Sequence, residues 1–91
     1  MYEWDAANLR KVASHGITKE ETIEAIEGIT VELPTQMSEG EYRYKLIGET
    51  VAGQVLVVLW TEGKTPNTTC IFNAYKADPR EARIYRNERR K

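Results

Sequence analysis

Val55-Leu56-Val57-Val58-Leu59-Trp60 is apolar at every position. A strand points alternate side chains to opposite faces, so a run that is apolar throughout needs cover on both sides. This spacing predicts a central strand. Downstream, Gly63 to Asn67 holds Gly, Pro and Asn and reads as a hairpin loop. Beyond it Cys70, Phe72 and Ala74 alternate with Ile71, Asn73 and Tyr75, which predicts a partner strand. Upstream, Tyr42, Tyr44 and Leu46 alternate with Arg43, Lys45 and Ile47, and Val31 and Leu33 alternate before Pro34. The short gaps favour an antiparallel meander of about four strands.

Outside the meander the period is 3.6. Asp5 can cap a helix from about Ala6 to Ser14, with Ala6, Leu9, Val12 and Ala13 as its apolar stripe and Gly16 as a left-handed stop. Thr18-Lys19-Glu20-Glu21 reads as a capping box, opening a helix to about Glu27 with Ile23 and Ile26 inward. Asp78-Pro79-Arg80-Glu81 is a second box with proline at the first helical position, and its helix runs to Asn87 or beyond. The fold class is therefore α+β: two N-terminal helices, an antiparallel sheet of about four strands, one C-terminal helix, and room for a short strand at Tyr2 to Trp4.

The 91 residues, with 41% hydrophobic and 30% charged, fit one soluble domain. No stretch approaches the roughly 18 apolar residues that span a bilayer. Acidic Glu3 and Asp5 near the start do not make a signal peptide, so a cytoplasmic location is expected. The single Cys70 excludes an internal disulfide and reads as a buried, inert thiol. Net charge is −1, but residues 76–91 carry +4 and residues 1–75 carry −5. A basic end on an acidic body is a footprint for phosphate or an acidic partner, or else a solvated helix terminus. No glycine-rich phosphate loop, metal-ligand cluster or Ser/His/Asp arrangement stands out, so no cofactor is expected.

One ordered set of residues goes further. It comprises Glu3-Trp4-Asp5, His15-Gly16, Glu41-Tyr42-Arg43, Ile47-Gly48, Gly53 to Val58, Ala74-Tyr75-Lys76-Ala77, Arg80-Glu81 and Tyr85. In order and spacing the chain resembles the BrnT family of bacterial type II toxins, small ribonucleases of the RelE-like fold. The resemblance implies metal-independent RNA cleavage and, as partner, a small antitoxin with a DNA-binding domain. Such cleavage needs a base for the 2′-hydroxyl, cations for the phosphoryl oxygens and an acid for the leaving oxygen.

His15, Arg43, Lys76, Arg80, Glu81 and Arg83 are the residues this chain offers for those roles. His15 matches the family histidine and imidazole titrates near neutral pH, but a histidine there also suits a helix C-terminus. Glu81 matches the family's C-terminal Arg-Glu-Arg, yet its capping position explains it without chemistry. Arg43 and Lys45 face either substrate or solvent. Tyr85 reads as core, and Trp4 and Trp60 as packing aromatics. Ser14, Gly63, Thr68, Cys70, Tyr75 and Ala82 stand where the family carries basic residues. Tyrosine donates a hydrogen bond or stacks on a base but holds no phosphate by charge. The expectation is a ribonuclease weakened by lost cations; the alternative is a non-catalytic protein-binding module on the same fold.

Overall fold

The computed structural model describes residues 2–38 and 41–89, without the side chains of residues 35–38 and 41. Arg90 and Lys91, part of the basic end, lie outside the described residues. The elements run β1 (Tyr2–Glu3), α1 (Ala6–Ser14), α2 (Lys19–Glu27), β2 (Thr30–Ser38), β3 (Glu41–Glu49), β4 (Val55–Glu62), β5 (Thr69–Lys76) and α3 (Pro79–Glu88). The architecture is mixed α+β. Among the described residues its sheet has five strands in the order β1-β5-β4-β3-β2, rather than about four. The addition is β1, which pairs parallel to β5 through Tyr2↔Thr69 and Glu3↔Cys70. The other pairings are antiparallel. Strand β4 sits centrally, as its unbroken apolar run demands.

The two faces of β4 build two cores. Leu56 and Val58 join Val12, Ile17, Ala25, Leu46, Ile71 and Ala74 on the first face, under α1 and α2. Val57 joins Ile47 and Tyr85 on the second face, under α3. Leu56, Val57 and Val58 have no exposed surface, and full burial of such side chains stabilises by about 1.5–3 kcal/mol each. Tyr85 also donates its hydroxyl to the Ile29 carbonyl at 2.9 Å, fastening α3 to the start of β2.

Local chemistry sets the helix ends. Asp5 accepts from the Asn8 N–H, and Gly16 turns out of α1 at φ +75°. Both capping boxes close: Thr18 with Glu21, and Asp78 with Glu81. Side-chain packing departs from the periodic reading in α1, where Leu9, Ala6 and Ala13 are exposed while Asn8 and Val12 are buried. Asn8 is tolerated inside because its amide bonds the Asp5 carboxylate at 3.1 Å. In α2 the buried positions are Thr22 and Ala25, with Ile23 and Ile26 half-buried. Small residues face the sheet because α2 approaches it at Gly48.

Two strands also differ from the alternation. β2 continues through Pro34 to Ser38 on the sheet edge, with a register shift between Leu33 and Gln36. An edge strand tolerates a proline where its missing N–H would face outward. In β5, Asn73 pairs with Leu59 but Ile71 pairs with Trp60, so Phe72 is an extra residue, a β-bulge. Ile71 and Ala74 consequently share the first face although they are three apart.

Candidate functional site

Helix α3 lies over β2 and β3 and leaves the β5 side of the second face uncovered. Strand alternation and register direct Arg43 and Lys45 of β3, Leu59 and Thr61 of β4, and Cys70, Asn73 and Tyr75 of β5 to this face. Phe72 joins them, since the Arg43 guanidinium carbon lies 5.1 Å from its ring centre. His15 arrives around the edge from the C-cap of α1. Its ring centre lies 6.3 Å from that of Tyr75, with the planes tilted by 60°.

At the floor of this surface three polar side chains from three elements meet. The Tyr75 hydroxyl donates to Glu81 Oε2 at 3.3 Å. Lys45 Nζ lies 3.5 Å from the same oxygen. Glu81 Oε1 meanwhile accepts from the Asp78 N–H at 3.0 Å, the return bond of the capping box. One carboxylate thus caps α3, anchors β5 and neutralises β3. Burial raises the Tyr75 hydroxyl above the ordinary tyrosine range, and the Glu81 charge adds to that, outweighing the opposing pull of Lys45. Tyr75 is therefore a protonated donor at neutral pH. Burial pulls Lys45 downward, but its bonds to Tyr75 and Glu81 outweigh this and leave it raised. Lys45 stays an ammonium.

Other sequence-selected residues fall elsewhere. Lys76 pairs with Leu56, a first-face residue, so it points away from Tyr75. It is exposed, as are Arg80 and Arg83. Glu81 turns toward the sheet, and at 100° per residue Arg83 sits on the far side of α3 from it. The structure brings His15, Arg43 and Glu81 to the surface around Lys45 and Tyr75, and spreads Lys76, Arg80 and Arg83 around its margins. Phe72 is the contribution that sequence reasoning passed over, whereas Lys45 was weighed beside Arg43 as facing substrate or solvent and left out of the site set. Lys45 was legible as a neighbour of Arg43 on one strand face; nothing in the alternation marked Phe72.

Next to the Arg43–Phe72 pair is a hollow of about 290 Å³ lined by Asn8, Lys11, Arg43, Thr61, Cys70 and Phe72. Cys70 is half-buried here rather than sealed in the core. A larger hollow of about 560 Å³ lies at the 63–68 hairpin loop. It is lined by Trp60 and residues 62–69, whose ionisable members are Glu62 and Lys64. Gly63 is closed in there: a Cβ would strike the Thr68 and Glu3 side chains. A cation at that position would have to displace both. Among the described residues no group of three His, Cys, Asp or Glu side chains is placed to hold a metal ion. Nor is any helix among them long and apolar enough to cross a membrane. No protein-family model matches the chain, and comparison with curated proteins finds no match.

Proposed function

We propose that this chain is a BrnT-like toxin component of a type II toxin–antitoxin pair, a metal-independent endoribonuclease weakened by loss of cationic residues. The observation that carries this reading is the meeting of His15, Lys45, Tyr75 and Glu81, from four elements, at the uncovered side of the second sheet face. Base, cation and hydroxyl donor are the groups that RNA cleavage by a neighbouring 2′-hydroxyl requires.

In the reaction the 2′-oxygen attacks the adjacent phosphorus and the bond from phosphorus to the 5′-oxygen breaks. His15 takes the 2′-proton. Arg43 and Lys45 draw charge from the phosphoryl oxygens, and the Tyr75 hydroxyl exchanges its bond to Glu81 for one to the departing 5′-oxygen. Glu81 holds Lys45 and Tyr75 in position. Both its oxygens already accept bonds, which commits it to that holding role.

The same arrangement limits the rate. Lys45 is already neutralised by Glu81, and Tyr75 brings no charge. Loss of one phosphate-stabilising donor typically costs about 10²–10³ in rate. That fully engaged carboxylate also favours a second reading, a non-catalytic module that binds a small antitoxin with a DNA-binding domain. Gel cleavage of a structured RNA by the parent and by His15→Ala decides between them. Cleavage that His15→Ala abolishes, and that persists in chelator, supports the enzyme. No cleavage by the parent leaves the binding module. Robust cleavage untouched by His15→Ala would sink the assignment of residues.

A further inference from the structure

Phe72 is the one phenylalanine of the chain. It belongs to neither apolar core among the described residues. Without the bulge, strand alternation would have turned it to the first face with Ala74, beneath α1. The extra residue in β5 instead delivers it to the second face, half-buried, beside the guanidinium of Arg43. Bulges re-aim side chains, and here the result is a large apolar ring spent on a surface. The contact keeps the Arg43 guanidinium beside the ring, so that a cation and an aromatic surface are offered together. Lys11 from α1 and Arg43 supply positive charge to the adjoining hollow, and Asn8 and Thr61 supply polar side chains.

We infer that the Arg43–Phe72 stack is a platform for one unstacked base of single-stranded RNA, with Lys11 and Arg43 holding the flanking phosphate. The inference rests on the RNA-directed reading above and adds a strand preference to it. Aromatic rings and arginine planes both stack on bases, and an unpaired nucleotide can present its face to them. A duplex keeps its base faces buried against one another, so it offers the platform only backbone. The hollow accepts a single base beside the Lys45–Tyr75–Glu81 cluster, which makes the platform a positioning device for the neighbouring phosphate.

The test is a binding titration at low salt, using a short labelled RNA single strand, its duplex and the DNA single strand of the same sequence. The parent should bind the RNA single strand more tightly than the duplex. Phe72→Leu keeps an apolar side chain at the bulge. It should weaken single-strand binding about 5- to 150-fold, the range of a lost base–aromatic stack, with little change for the duplex. Phe72→Trp should retain the affinity, and Lys19→Gln, on α2 against Trp4, should leave it unchanged. Thermal unfolding of each variant verifies that it is folded. RNA binding that survives Phe72→Leu undiminished, or a duplex bound as tightly as the single strand, overturns the platform while leaving the RNA-directed reading in place. No RNA binding by the parent overturns both. Equal binding of the DNA strand removes the preference for RNA and retains the stack.

Discussion

The carbonyl of Ala25 rests on Gly48, with no room for a methyl group between α2 and the sheet. A Cβ on Gly48 would strike the carbonyl oxygen, carbonyl carbon and α-carbon of Ala25, all of them backbone. Backbone cannot rotate aside as a flexible side chain can. This contact explains why Thr22 and Ala25, rather than the isoleucines of α2, face the sheet.

Gly48→Ala should therefore destabilise the fold by about 1–3 kcal/mol, the usual cost of overpacking. Urea unfolding would reveal it as a lowered midpoint with an unchanged slope. A midpoint equal to the parent's would mean that α2 sits farther from β3 than the geometry has it.

The caps make a second expectation. Thr18→Ala and Asp78→Ala should each cost about 0.5–2 kcal/mol. The Thr18 hydroxyl accepts from the Glu21 N–H at 3.0 Å and the Asp78 carboxylate from the Glu81 N–H at 2.7 Å. Asp78→Ala should also loosen Glu81 and with it Lys45 and Tyr75. If Thr18→Ala alone lowers the denaturant midpoint, the α3 box carries no stability.

Alkaline pH should weaken the fold through the Lys45–Tyr75–Glu81 cluster. Tyr75 is raised above its ordinary 10.0 by burial, then by Glu81. Lys45 is raised above 10.5, its bonds to Tyr75 and Glu81 outweighing burial. Both groups hold their protons more tightly folded than unfolded. Their contribution is complete below the unfolded values and is lost as pH rises through the folded ones. Stability should fall more steeply above pH 10 in the parent than in a Tyr75→Phe, Lys45→Met double variant. Parallel curves for the two proteins would remove the cluster from the titration.

Tyr75→Arg offers a gain rather than a loss. An arginine there meets Glu81, and pairing with it would release Lys45 toward substrate, while a second guanidinium N–H takes over the donation that the Tyr75 hydroxyl makes to the departing 5′-oxygen. Any residual RNA cleavage should rise, by up to about 10²-fold, the worth of one phosphate donor. Cleavage below the parent's in the gel assay would show that the Tyr75 hydroxyl itself is needed.

Much of the architecture was legible because local rules and packing agree. The run from Val55 to Trp60 needed two covered faces and received them, and Asp78-Pro79-Arg80-Glu81 specified a helix start that tertiary contacts did not override. Phe72 was unreadable for the opposite reason. A bulge is a mismatch between two strands, so its site depends on how β4 and β5 register, which neither strand encodes alone. Ala25 was hidden similarly: hydrophobicity singled out Ile23 and Ile26, whereas the contact selected for small size. Of the candidate cations, Arg43 was identifiable from strand alternation, and the same alternation already turns Lys76, next to Tyr75 in β5, to the opposite face.

The parallel strand β1 has a kinetic consequence. From β2 to β5 every pairing joins neighbours in the chain, so the meander can zip together hairpin by hairpin with small loop entropies. β1 is different: Glu3 reaches the Lys64 N–H, at 3.0 Å, across 61 positions. That closure is entropically the most expensive in the sheet, and its strand pairing amounts to two residue pairs among the described residues. Tyr2 and Glu3 should consequently dock last during refolding and open first in the native state. Their backbone amides should exchange with deuterated solvent well before those of Leu56 to Val58, and the amide of Lys64, which depends on Glu3, should exchange with them.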